Sequence, residues 1–182
     1  MLEEYSVIKI IQEILSNPRK VYTLRELAKA SKTSKDSVAK TIEFLLSREM
    51  ITLKVIGPTH QYQTNLENPL ARQWKVLFNL EELNQAKLLQ EIQSKVPNIQ
   101  CVLVYGSLAK GTNDENSDLD LLILTEQKLS TKPNIGKSLK IEPNILLINT
   151  KEWKSMSEKD KVFYDNVITD SIVLYDRKPV VL

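Results

Sequence analysis

Apolar positions along this chain change their spacing several times, and each change predicts a new element. Over residues 2–16, Val7, Ile8, Ile11, Ile14 and Leu15 recur at helical intervals. That stripe predicts an amphipathic helix with one buried face, stopped by Asn17-Pro18. Thr23 with Glu26 three places on reads as a capping box and starts a second helix over Leu24–Ala30, burying Leu24, Leu27 and Ala28. After the polar turn Ser31-Lys32-Thr33, the stripe Val38, Ile42, Leu45 and Leu46 predicts a third helix from Ser34 or Lys35 to about Arg48. The period then shortens: residues 50–56 alternate as a strand, Gly57-Pro58 breaks it, and residues 61–64 return as a second strand.

Asn68-Pro69 marks a boundary, after which residues 70–95 are helical again through Leu70, Trp74, Leu77, Phe78, Leu83, Leu88 and Ile92, with an expected interruption at Asn79. Trp74 and Phe78, four apart, form a bulky face that fits either core against the C-terminal sheet or a dimer seam. Three apolar runs of strand length follow, at 102–105, 121–124 and 145–148; the last is continuous and reads as buried on both faces. A helix N-capped by Thr150, another over about 159–169 in which Tyr164 is partly buried, a short strand at 171–175 and a loose tail complete the chain.

The stretch CVLVYGSLAKGTNDENSDLDLLIL, residues 101–124, carries the chemistry. It reads as strand, tight turn at Gly106-Ser107, short helix ended by Gly111, polar loop, strand. Asp118 and Asp120 are two apart at the start of the second strand, so both carboxylates project from one face. Two adjacent acids repel unless a cation lies between them, and oxygen-only ligands suit Mg²⁺, which completes its shell with substrate phosphates. Gly106-Ser107 offers backbone N–H groups beside them, a place that favours anions. Together these features point to a nucleoside triphosphate bridged to the protein by metal.

Gly106-Ser107, a ten-residue gap and Asp118-x-Asp120 before an apolar run resemble the signature of the polymerase-β-like nucleotidyltransferases, most of all the small minimal ones. The resemblance covers roughly residues 99–175. It implies a mixed-sheet α/β (α+β) fold and transfer of a nucleoside monophosphate from a triphosphate. Asp118, Asp120 and Ser107 would be catalytic, with Mg²⁺ on the two aspartates. Gly106, Ser107 and Lys110 would hold the nucleotide. The superfamily normally carries a third carboxylate on the next strand. That slot falls here to Asn144, with Glu142 on the same face, so Asn144 or Glu142 is the candidate third ligand. Asn144 adds no charge and accepts no proton, so the base would be Glu142 or missing.

Three helices and a hairpin over about residues 3–66 resemble a winged helix-turn-helix, which implies a smaller second domain that binds double-stranded DNA. Lys35, Ser37, Lys40 and Thr41 would then face the groove, with Lys32, Lys54 and the wing residue His60 near phosphates. The expected domains are residues 1–67, connecting helices over 68–98, and 99–182. Regulators of this kind commonly pair, so a homodimer is expected. The alternative function is a transcriptional regulator whose C-terminal domain is catalytically weak and binds nucleotide or mediates dimerisation. A protein acceptor is a further possibility, while a DxD glycosyltransferase would leave Gly106-Ser107 unexplained.

Composition narrows these readings slightly. Net charge is +2, so a nucleic-acid site must be a local patch rather than a whole basic face. There is no long apolar run for a membrane span, no signal-type start, and one His with one Cys leaves no usual zinc site. A cytoplasmic protein is expected, with Cys101 a buried, inert thiol. Lys128, Lys132, Lys137 and Lys140 make a solvated basic stretch in which Lys137 or Lys140 could approach a triphosphate.

Overall fold

The structure is a computed structural model and describes residues 5–126, 128, 133–136, 138–139 and 141–181. Compactness divides the chain into Met1–Phe78 and Asn79–Leu182.

In the first unit, helices α1 (Ser6–Ser16), α2 (Leu24–Ala30) and α3 (Lys35–Ser47) precede the antiparallel strands β1 (Ile51–Ile56) and β2 (Thr59–Thr64). The Thr23/Glu26 box forms both ways: the Thr23 N–H donates to Glu26 Oε2 at 2.8 Å, and the Glu26 N–H to Thr23 Oγ1 at 3.3 Å. The Thr23 N–H, and then the Thr23 hydroxyl donating to the same Oε2 at 2.8 Å, hold the Glu26 carboxyl below its ordinary pKa. Ile10, Ile11, Ile14 and Leu15 form the buried face of α1, whereas Val7 is exposed. Ile11, Ile14 and Leu15 of the expected stripe are thus buried and Ile8 packs against them, while Ile10 takes the place expected of Val7. The last carbonyls of α1 have no partners within the helix. Asn17 Nδ2 donates to Glu13 O, Thr64 Oγ1 to Ile14 O and the buried Lys75 Nζ to Leu15 O, at 2.7, 2.7 and 3.0 Å.

Trp74 and Phe78 lie on α4 (Pro69–Gln85) and pack into this same N-terminal core, so of the two readings of this face, core against the C-terminal sheet is corrected. Asn79 does not interrupt the helix. The break comes at Lys87, in the left-handed region (φ +54°), before α5 (Leu88–Lys95).

The second unit is built on a four-stranded mixed sheet, β3 (Ile99–Tyr105), β4 (Leu119–Thr125), β5 (Pro143–Asn149) and β6 (Ile172–Tyr175), in the order β5-β4-β3-β6. Only β4 and β5 run parallel. Alternation sends Val102, Val104, Leu121 and Ile123 to one face, against Leu83, Leu88 and Ile92. It sends Leu103, Leu122, Leu124 and Ile148 to the other, against α7 (Thr150–Lys159) and α8 (Lys161–Asp170) through Trp153, Tyr164 and Val167.

Three local expectations change here. Strand β5 is an edge strand and only Ile148 is fully buried, because no strand among the described residues pairs with its outer side. Asn149 rather than Thr150 caps α7, taking the Lys151 and Glu152 N–H groups at 2.9 and 3.0 Å. The tail is fastened: Trp153 Nε1 donates to Pro179 O at 2.6 Å and the Val181 N–H to Tyr164 Oη at 2.7 Å. Lys128 pairs with Glu152 at 2.9 Å, while Lys132, Lys137 and Lys140 lie outside the described residues. No described helix is long and apolar enough to cross a membrane.

Candidate functional site

The two halves of the motif meet at one end of the C-terminal sheet. Tyr105, the last residue of β3, is the register partner of Asp120 on β4, and Asp120 is the register partner of Asn144 on β5. Immediately after Tyr105 the chain turns into the short helix α6 (Gly106–Lys110). The sequence reading began that helix at Leu108; it starts at Gly106 itself. Gly106 has φ +72°, and a Cβ placed there would overlap Asp120 Oδ2. The backbone of the turn and the carboxylate therefore share one small space.

Asp120 is held from both sides. Its Oδ2 lies at the Gly106 turn, and its Oδ1 accepts a hydrogen bond from Asn144 Nδ2 at 3.0 Å. Asp118 is exposed and precedes the first residue of β4. It is delivered by a loop with its own fixed geometry. The Asp114 N–H donates to Ser117 Oγ at 2.9 Å and the Asn116 N–H to Asp114 Oδ1 at 2.9 Å, a side-chain turn that sequence alone marked only as polar. Asn113, buried at the root of this loop, exchanges amide hydrogen bonds with Asn79 at 2.9 and 3.3 Å. Asn79 Nδ2 also donates to Leu108 O at 3.0 Å, which ties the end of α6 to the same amide. Neither asparagine was singled out from the sequence, since a pair 34 residues apart leaves no local signal.

The remaining candidates are placed as follows. Ser107 is half-buried at the start of α6. Lys110 pairs with Asp170 of α8, Nζ to Oδ2 at 2.7 Å. Glu142 is exposed next to β5, and its carbonyl accepts the Leu119 N–H at 3.5 Å. The Tyr105 phenol is raised above its ordinary pKa by burial and then by the nearby Asp120 charge, so it stays protonated beside the site. Cys101 is buried, and burial pushes its thiol up to about 11, which leaves it unreactive at neutral pH.

The family model for polymerase beta nucleotidyltransferases matches residues 86–180, more than half of the chain and all of this site. The chain belongs to the polymerase beta nucleotidyltransferase family. Among curated proteins it is similar to the protein adenylyltransferase MntA of Shewanella oneidensis, with 30% identity over 50 residues. That stretch is 28% of this chain and 36% of MntA, so the chain matches about a third of its relative's length. Two solved structures from Sulfolobus solfataricus are distantly similar. One is a candidate nucleotidyltransferase, at 18% identity and a TM-score of 0.36 over 59% of this chain and 95% of the other. The second is a DNA-binding protein, at 14% identity and a TM-score of 0.36 over 47% of this chain and 90% of the other. Neither likeness is close enough to bear on function.

Nucleotidyltransferases of this family generally use divalent metal ions. The donor set here is compatible with one: two carboxylates and the Asn144 amide are hard oxygen ligands, and Asp120 Oδ2 is kept against the turn. Among the described residues no cluster of three or more His, Cys, Asp or Glu side chains forms a metal cage. Such a site suits an ion that takes its other ligands from a substrate's phosphates.

In the first unit the DNA-facing candidates divide. Lys32, Lys35, Lys40, Lys54 and His60 are exposed, and Ser37 is half-buried within the cap of α3, donating its N–H to Ser34 Oγ at 3.2 Å. Thr41 is corrected: it is 3% exposed, and its hydroxyl donates to Ser37 O at 2.7 Å, so it faces the core. His60 is in β2 opposite Val55 rather than in the turn.

Proposed function

We propose that this protein transfers a nucleoside monophosphate from a Mg²⁺-bound triphosphate to a hydroxyl acceptor. The observation that carries the reading is the shared space of Gly106 and Asp120; it supports a turn that receives phosphates working together with a carboxylate that holds the ion. Gly106 and Ser107 receive the terminal phosphates, and Asp118 with Asp120 hold the ion. When bound, the ion neutralises the charge that builds on the α-phosphate and the leaving pyrophosphate. The acceptor oxygen bonds to the α-phosphorus, the bond to pyrophosphate breaks with its electron pair, and the hydroxyl proton passes to Glu142 or to solvent. Lys110 stands one helical turn along α6 and reaches the phosphates by exchanging its Asp170 partner. Similarity to a protein adenylyltransferase supports trying ATP as donor and a protein hydroxyl among the acceptors.

The N-terminal unit is read as a winged helix that binds duplex DNA. Its exposed Lys32, Lys35, Lys40 and Lys54 support this. A second reading has one specific observation in its favour. Asn144 sits beside Asp120 where a third carboxylate would stand and donates a hydrogen bond to it, which fits a regulator that binds nucleotide and transfers it slowly or not at all.

Calorimetric titration of ATP, GTP, CTP and UTP with Mg²⁺ tests the site. We expect micromolar binding of at least one triphosphate, weakened about 100-fold or more in Asp118→Ala/Asp120→Ala. No binding of any triphosphate would remove the enzyme reading. Binding without transfer of α-label would leave the regulator.

A further inference from the structure

One side chain from outside the motif touches both of its halves. Asn79 lies on α4 and uses both amide donors and its acceptor oxygen. Its Nδ2 donates to Leu108 O at 3.0 Å and to Asn113 Oδ1 at 2.9 Å, and its Oδ1 accepts from Asn113 Nδ2 at 3.3 Å. Leu108 belongs to α6, the helix that opens with Gly106 and Ser107. Asn113 is at the root of the loop that leads to Asp118. Glu91 also ties down a segment of this unit, accepting the Gly136 N–H at 3.0 Å, but that segment carries neither half of the motif.

Each contact continues to a site residue through a stiff piece of chain. Helix α6 has five residues, too few to be stable alone, so the bond at Leu108 O steadies Gly106 and Ser107 with it. In the loop, Asn113 is 6% exposed and a closed turn follows it. The Asp114 N–H donates to Ser117 Oγ at 2.9 Å and the Ser117 N–H to Asp114 O at 3.2 Å. That turn passes the position of Asn113 on to Asp118. A metal-bound triphosphate needs both ends at once, because the ion meets the carboxylates while its phosphates meet the turn. Asp120 has its place in the sheet, whereas Asp118 precedes the first residue of β4 and depends on the loop. We infer that Asn79 is a positioning residue for nucleotidyl transfer, setting the separation of the Gly106-Ser107 turn and Asp118 that a metal-bound triphosphate spans. This rests on the nucleotidyltransferase reading and adds to it a residue that touches no substrate. Groups that orient metal ligands from outside change metal affinity about 10–100-fold.

The test reads the gain in triphosphate affinity on adding Mg²⁺. It is the ratio of dissociation constants in EDTA and in Mg²⁺, for whichever of ATP, GTP, CTP and UTP the full-length protein binds best. Asn79→Ala should cut that gain about tenfold, while affinity in EDTA, which reports the turn without the ion, stays within about threefold. Asn113→Ala keeps the Leu108 bond and breaks only the loop arm. It should cut the gain similarly, and it decides the matter if Asn79→Ala does not fold. Asp118→Ala removes what Asn79 positions, so Asn79→Ala/Asp118→Ala should match Asp118→Ala within about twofold. Asn149→Ala loses the cap of α7 at the far end of β5, and should lower the urea midpoint without changing the gain. A Mg²⁺ gain that survives both Asn79→Ala and Asn113→Ala overturns the inference. So do losses that add to that of Asp118→Ala, or an equal loss in Asn149→Ala. If the wild type binds no triphosphate, the nucleotidyltransferase reading fails and this inference with it, an outcome that the wild type alone reveals.

Discussion

Two turns in this chain use glycine in nearly the same conformation for different reasons. Gly57, with Pro58, joins β1 to β2 at φ +57°, and a Cβ built on it meets nothing within 4 Å. Gly106 leaves β3 at φ +72°, and a Cβ there overlaps the Asp120 carboxylate. At the hairpin the backbone needs a dihedral that other residues adopt at a modest cost. At the site it needs the same dihedral and also the missing side chain. The difference separates a glycine kept for chain geometry from one whose absent atoms leave room for the Asp120 carboxylate.

Substitution of both glycines tests that distinction. Gly106→Ala should show the largest effect: about 3 kcal/mol of stability lost from the left-handed backbone and the overlap together, with triphosphate affinity down about 100-fold or more. Adding Asp120→Ala to that variant removes the overlapping atom. The double variant should regain about 1–2 kcal/mol in urea unfolding while nucleotide binding stays lost. If stability does not recover, the Gly106–Asp120 space is not shared as described. Gly57→Ala should cost only about 1 kcal/mol and leave nucleotide affinity unchanged. A larger loss would mean the hairpin turn is also tightly packed.

The smallest effect concerns how closed the sheet is behind the site turn. Burial holds the proton on Cys101 to a pKa of about 11, above the ordinary thiol value. Between those values the folded chain binds more protons than the unfolded one, so stability falls as pH rises. Wild type should lose roughly 0.6 kcal/mol more than Cys101→Ala between pH 8.5 and 9.5, measured by urea midpoints at each pH. Equal slopes would mean that water reaches the sulfur.

Features encoded within a few residues were readable before the structure. Thr23 and Glu26 cap α2 through bonds three residues apart, and the Gly106-Ser107 and Asp118-x-Asp120 motifs each sit at the end of a strand whose apolar run is plain. What needed the structure depends on partners distant in sequence. Thr41 turns inward because α3 presents the Val38, Ile42 and Leu45 face, and a threonine next to that stripe can bond its own helix. The Asn79–Asn113 exchange and the Glu91 grip on Gly136 span 34 and 45 residues and leave no spacing to detect. Strand β5 was read as buried on both faces because a continuous apolar run looks the same in a central strand and in an edge strand that borders a pocket.

The parallel pairing of β4 and β5 runs without a shift from Leu119 opposite Pro143 to Thr125 opposite Asn149. This makes both strands intolerant of changes in length. One residue inserted within β5 downstream of Asn144 or within β4 downstream of Asp120 would reverse which side chains face each way from that point back, Asn144 or Asp120 included. The Asp120–Asn144 contact would be lost although every original residue was still present. Insertional scanning should therefore find that these two strands accept substitutions but no indels.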